Sequence, residues 1–385
     1  MDLKLFFDAL SEDEVPSNLP EDSLFKFIYV NEHRMPDEDG LQIAIIGLDD
    51  VRGNTNLSQG GIKEIRKKLY TLKKGSTACN IADLGNLRLG ETIGETYKRL
   101  SSVVSILISK SILPIIVGGS HDMDIGQFLA YEIEERYVSI LNVDSRFDID
   151  KNDEKNPSNS HLATIFKSDH KYLFNYSQLA HQSYLVSPSG EMELESLKFQ
   201  AVRVGAIRED IKKVEPIIRE ADMVTFDVSS IKTQYCPGGS RSEVFGLTGE
   251  EACQITWYAG MNDKLSSIGF YEYDPAKDDA NKSSAMTIAV MIWYFIEGFK
   301  NRKNEKGFQT KDYLKYVVSM DTDPETISFY KSILSEKWWM EVPNNSSIGV
   351  FDRNQIIPCD FSDYELASKG EVPERWVNAY SKKVE

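Results

Sequence analysis

Two runs of this sequence bring carboxylates and basic groups within reach of each other: NVDSRFDID at 142–150 and TFDVSS at 225–230. Each follows or closes an apolar stretch rich in β-branched and aromatic residues, YVSILNV and DMVTFDV, that reads as a buried strand. The acids therefore fall at strand C-terminal ends, where open α/β sheets place their chemistry. Alternate side chains of an extended segment point the same way, so Asp144, Arg146 and Asp148 are expected to converge, as are Asp227 and Ser229. A third run, VGGSHDMD at 117–124, supplies His121 after the strand ILPIIV. Asp and His gathered at three strand ends is how proteins hold a hard-to-borderline divalent ion.

Two more runs extend the pattern. FYEYDPAKDD at 270–279 carries Glu272, and NPSNSHLAT at 156–164 carries Asn159 and His161. The five segments, in the family's own order along the chain over roughly residues 41–300, resemble the ureohydrolase family (arginase, agmatinase, formimidoylglutamase). That family has Gly-Gly-x-His, Asp-x-His-x-Asp and Asp-x-Asp segments that together hold two bridged Mn²⁺ ions. The resemblance implies a substrate-contacting carboxylate at Glu272, a polar substrate contact at Asn159 and a proton shuttle at His161. The tripeptide PGG at 237–239 matches a family turn after the Asp-x-Asp strand.

The departures from the family pattern are specific. Arg146 stands where the resemblance calls for a metal-binding His, and Ser229 where it calls for an Asp. By the same resemblance one ion would be held by His121, Asp144, Asp148 and Asp227. The second would share Asp144 and Asp227 and take the two replaced positions. The first set is complete; the second lacks both private ligands. Three carboxylates are then balanced by one divalent ion plus the guanidinium of Arg146. Arginine is permanently protonated and offers a fork that suits carboxylates. Arg146 is therefore expected where the second ion would sit, and the chain is expected to bind one Mn²⁺ or none.

The chemistry implied is hydrolysis of a linear amidine or guanidino C–N bond by metal-activated water, weak with one ion. Asp148 or Asp227 would take the proton from water, Glu272 would pair with the cationic end of the substrate, and His161 would protonate the leaving amine. Each has a plainer reading: Glu272 as a strand-end acid paired with Arg146, His161 as a loop histidine. The alternative for the whole chain is a non-catalytic family member that binds a ligand or a protein partner. His170 and His181 are the histidines placed to complete a different metal site.

Bulk properties narrow the classes. A chain of 385 residues with 41% hydrophobic and 27% charged residues has ample core for one large α/β domain with extensions. A net charge of −16 argues against a nucleic-acid partner. Cys79, Cys236, Cys253 and Cys359 show no C-x-x-C spacing, so no zinc or redox motif is indicated. The opening MDLKLFFDALSEDEVP carries acids within its apolar stretch, unlike a secretory signal, and the apolar run at 284–299 is short for a membrane span. A cytoplasmic protein without a membrane partner is expected, and the resemblance implies a homo-oligomer.

These residues need a scaffold of strands alternating with helices. Helical spacing marks 60–74 and 92–110, and strands are expected at 41–50, 81–85, 112–117, 137–143, 183–187, 201–207, 222–228 and 265–273. Helices are expected at 211–220, 248–260 and 280–299. That rhythm predicts a three-layer α/β/α sandwich with a mostly parallel central sheet over residues 41–300. Residues 1–40 read as an N-terminal extension. Residues 301–385 read as a C-terminal one, with ISFYKSILSEKWWMEV helical and its aromatics packing on the core or at an oligomer contact.

Overall fold

The structure, a computed structural model, describes residues 2–16, 18–75, 79–149, 156–167, 171–305, 310–321, 323–343 and 355–381. Its main sheet is built from β1 (Phe7–Asp8), β2 (Ile28–Val30), β3 (Ile43–Gly47), β4 (Ile81–Leu87), β5 (Leu113–Val117), β6 (Val138–Val143), β7 (Leu173–His181), β8 (Gln200–Arg203), β9 (Met223–Asp227) and β10 (Ser267–Tyr271). The order is β1-β4-β3-β5-β10-β9-β6-β7-β8, with β2 also on the outer side of β4. Every pairing but β1–β4 is parallel.

Helices cover both faces: α1 (Gly61–Thr71), α2 (Ile93–Ser109), α3 (Asp124–Ile133), α4 (His161–Ile165), α5 (Pro188–Ser196), α6 (Val204–Glu209), α7 (Glu215–Glu220), α8 (Gly249–Met261) and α9 (Ser283–Lys300). Strand side chains alternate between the two cores. Ile43, Ile45 and Ile115 pack with Ile62, Ile65 and Leu69 of α1 and with Ile288, Ile292 and Phe295 of α9. Ala44, Ile46 and Ile116 face Leu100, Val103 and Leu107 of α2 and Phe128 of α3. Strands buried on both faces read as continuous apolar runs, which is why they stand out in the sequence. The three-layer sandwich is as expected.

Helices α8 and α9 cross with glycine against backbone. An added Cβ at Gly298 would overlap the carbonyl oxygen of Trp257, and one at Gly260 that of Phe295. Gly298→Ala is therefore expected to destabilise the protein by roughly 1–3 kcal/mol through overpacking. Urea unfolding measures this, and an unchanged midpoint would show that the helices can move apart.

Three expected elements differ. The strand before β8 is Leu173–His181 rather than 183–187, which is a turn, and only Gln200–Arg203 of the run 201–207 is extended. Its remainder is the helix α6, whose Val204 and Ile207 are buried three residues apart. The stretch expected to be helical at 327–342 is instead two strands. β11 (Tyr313–Ser319), β12 (Thr326–Ser332), β13 (Trp338–Val342) and β14 (Gln355–Cys359) form a separate antiparallel sheet in that order. Ile327 and Phe329 of β12 and Met340 and Val342 of β13 alternate inward, a two-residue period. Helices α10 (Phe361–Ser368) and α11 (Glu374–Ser381) close its core with Ala367 and Trp376.

This sheet docks on α7. Arg219 donates to the carbonyl of Cys359 at 2.9 Å and lies over the Trp339 ring at 4.3 Å, while Lys337 pairs with Glu215 at 3.0 Å. Trp338 stacks on Tyr364. At the opposite edge, the short strands β1 and β2 tie the N-terminal segment to the main sheet through β4. Buried Arg66 ties them in by bridging Glu14 and Asp83 at 2.9 Å each. No helix among the described residues is long and apolar enough to cross a membrane.

Candidate metal centre

The four chemistry-bearing strands are consecutive neighbours, β5-β10-β9-β6, at the middle of the sheet. His121 follows β5, Asp144 follows β6, Asp227 ends β9 and Glu272 follows β10. The turn after β5 needs its glycines: Gly118 and Gly119 have φ of 98° and 81°, and an added Cβ at Gly118 would meet the Leu48 carbonyl. Gly119 accepts from the Glu272 amide at 3.0 Å, locking two strand ends together. Asp148 and Glu272 themselves have φ of 40° and 70°, a left-handed backbone that non-glycine residues adopt at a cost.

His121, Asp144, Asp148 and His161 each offer a ligand atom, all within 4.8 Å of one another and all buried. His121 Nδ1 lies 3.6 Å from Asp144 Oδ2 and 3.9 Å from Asp227 Oδ2, too far for hydrogen bonds. His161 Nε2 is 3.8 Å from Asp148 Oδ2. His121 Nδ1, Asp144 Oδ2 and His161 Nε2 have no hydrogen-bond partner. Their opposite sides are anchored. His121 Nε2 is 2.8 Å from Thr225 Oγ1, and His161 Nδ1 is 2.8 Å from the Asp124 carboxylate. Orphaned buried ligand atoms facing one point fit one cation.

Arg241 supplies a second one. Its guanidinium donates through Nη1 and Nη2 to both oxygens of Asp148, at 3.1 and 2.9 Å, and through Nη2 to Asp227 at 3.3 Å. Nη1 also donates to Asn159 Oδ1 at 2.7 Å. Arg146, expected in this role, turns outward and pairs with Glu243 at 3.0 Å, its side chain 30% exposed. β6 ends at Val143, so the two-residue alternation that would aim Arg146 at Asp144 stops before it begins. Ser229 accepts from the Arg241 amide at 3.1 Å. Both replaced positions thus hold the loop that carries Arg241. Gly239 lets that loop pass close, since an added Cβ would sit 3.0 Å from Ser229 Cα.

Charge shapes the cluster. Burial, then the neighbouring Asp227 and Asp148, raise the Asp144 carboxyl well above the usual range. Asp227 is raised by burial and by Glu272. Burial also opposes charge on Asp148, but Arg241 outweighs it and holds that carboxyl low. Burial opposes a charged His121, yet Asp144, Asp124 and Asp227 together push it up to about 10.

Glu272 is fully engaged. Its Oε1 accepts from the His121 amide at 2.8 Å and from Ser158 at 2.7 Å, and its Oε2 from Asn54 at 2.6 Å and from Ser240. It has no bond to Arg146. His181 packs on Phe147 outside the cluster, pushed down to about 4 by burial, and His170 lies outside the described residues. Arg241 and Asp124 join the cluster without having been expected there. Asp124 stood in plain view three residues after His121, on the first turn of α3; Arg241 carried no signal.

A mostly parallel sheet with His and Asp gathered at adjacent central strand ends defines a three-layer α/β/α protein with a candidate metal centre at its middle strands. The Arginase family profile matches residues 50–297, more than half of the chain, and the chain belongs to that family. Formimidoylglutamase of Staphylococcus haemolyticus is 24% identical over 65% of this chain and 82% of its own. That of Geobacillus thermodenitrificans is 21% identical over 55% and 69%. In structure the chain is similar to Trypanosoma cruzi formiminoglutamase with Mn²⁺ (TM-score 0.63, 20% identity, 69% of this chain and 96% of that one). It is likewise similar to Bacillus subtilis formimidoylglutamase (0.64, 16%, 75% and 94%). Where active, a chain of this class is a linear amidine or guanidino hydrolase. Its four-residue cluster suits one Mn²⁺ or none, not a binuclear centre.

Proposed function

We propose that this protein is a family member in which amidine hydrolysis has been shut off, its pocket filled from within by its own guanidinium. The observation that carries the proposal is the Arg241 fork on Asp148, with its further bonds to Asp227 and Asn159. A guanidino or amidine substrate would have to compete with an identical group tethered in place. Glu272, the carboxylate that would receive the substrate's cationic end, already accepts four hydrogen bonds. The work left to such a pocket is binding or structural. A central unit over 41–300 with extensions on either side, assembled as a cytoplasmic homo-oligomer, belongs to the same proposal.

A second reading, a weak hydrolase with one Mn²⁺, draws on the orphaned atoms of His121 and Asp144. A bound divalent ion would supply an acidified water. Asp227 would take its proton, and His161, oriented by Asp124, would deliver one to the leaving amine. Hydrolysis of formimidoylglutamate, agmatine and arginine by Mn²⁺-loaded protein separates the two. No turnover above the protein-free blank is expected. Metal-dependent turnover abolished by His161→Asn would overturn the first reading in favour of the second.

A further inference from the structure

We propose that His121 Nδ1, Asp144 Oδ2, Asp148 and His161 Nε2 form a closed site for one borderline divalent ion, Zn²⁺ in preference to Mn²⁺, that is structural. The inference rests on the pocket being non-catalytic, and it departs from the ligand set the family resemblance implies: His161 enters and Asp227 leaves.

Three of the four ligand atoms are buried and unpartnered, which a polar group tolerates poorly unless an ion or water completes it. The spacings of 3.6 Å for His121–Asp144 and 3.8 Å for His161–Asp148 lie close to the edge of a tetrahedron. That edge is roughly 3.4 Å for ligand bonds of about 2.1 Å. The outer contacts are those of a metal-binding imidazole. Asp124 against His161 Nδ1 and Thr225 against His121 Nε2 turn the other ring nitrogens, lone pair outward, toward a common point. Asp144 Oδ1 is occupied by the Arg146 amide at 3.0 Å, leaving Oδ2 for the ion.

Asp227 lies outside the four residues whose ligand atoms all fall within 4.8 Å of one another. Like Asp148 it accepts from Arg241, and its Oδ1 is taken by the Ser229 amide at 2.6 Å. Two imidazoles and two carboxylates in four-coordinate geometry suit Zn²⁺, whereas Mn²⁺ prefers more oxygen ligands and six-coordination. Four protein ligands leave no open position for a reacting water, and the Arg241 fork covers the Asp148 side. Closed sites of this kind are structural.

The test is metal content of the full chain, stripped with a chelator and reloaded with Zn²⁺, Mn²⁺ or Co²⁺. One Zn²⁺ per chain should survive desalting, with a preference over Mn²⁺ of about tenfold or more in direct competition. The Co²⁺ form should show the intense visible absorption of a four-coordinate ion. His161→Asn should lose the ion, and Asp227→Asn should keep it. Retention in His161→Asn with loss in Asp227→Asn would overturn the ligand set while leaving the proposed function intact. So would a metal-free wild-type chain, or a weak six-coordinate Co²⁺ spectrum, which needs no variant to fold. Two ions per chain would overturn both.

Discussion

Arg241→Ala is expected to destabilise the protein by about 3 kcal/mol, near the lower end of what removing one partner of a buried ion pair costs. The side chain is 20% exposed, while Asp148 and Asp227 are 4% and 0% exposed, so the cation is partly solvated and the carboxylates are not. Without it, Asp148 and Asp227 confront each other and Asp144 with little water to screen them. Urea unfolding of the two proteins gives the difference directly. Arg241→Lys should fall between them, since it keeps the charge but not the fork. Methylguanidine added to the alanine variant should recover stability, by about 2.7 kcal/mol at a hundredfold excess over its dissociation constant. An alanine variant as stable as the parent would mean that Arg241 is a bystander and that the pocket is open to substrates.

What the sequence made legible follows from the range of the forces involved. Strands such as ILPIIV and YVSILNV are buried on both faces, so local composition alone marks them, and the acids after them fall at strand ends for local reasons. The registry beyond a strand end is not local. Extending the alternation past Val143 aimed Arg146 inward, whereas Asp148 takes a left-handed backbone and Arg146 reaches Glu243, ninety-seven residues on. Arg241 has nothing beside it in the sequence to mark it. It enters the cluster because Ser229, Gly239 and Arg146 hold its loop, a tertiary arrangement. The C-terminal sheet failed for another reason. In ISFYKSILSEKWWMEV, apolar residues at both helical and strand spacing compete, and pairing with β11 and β14, which lie outside the run on either side, decides for strands.

That tertiary arrangement predicts that restoring the two family ligands will not restore a two-ion centre. Arg146→His with Ser229→Asp supplies the missing groups, yet the double variant is expected to bind no second Mn²⁺. The Arg241 fork still holds Asp148 and Asp227, and four carboxylates would face one ion plus one guanidinium, four negatives against three positives. Adding Arg241→Ala removes the competitor and sets four negatives against two divalent ions. The Ser229 substitution also replaces the hydroxyl that accepts from the Arg241 amide, and the Arg146 substitution frees Glu243, so both loosen the loop that must move aside. The triple variant should therefore take up a second Mn²⁺, counted by elemental analysis after desalting. A second ion in the double variant would show that the guanidinium yields readily to a metal, and that Arg146 and Ser229 alone keep the second ion out. Failure of the triple variant, with the fold intact, would place the obstacle in the backbone after Val143, where β6 ends and residue 146 turns away from the cluster.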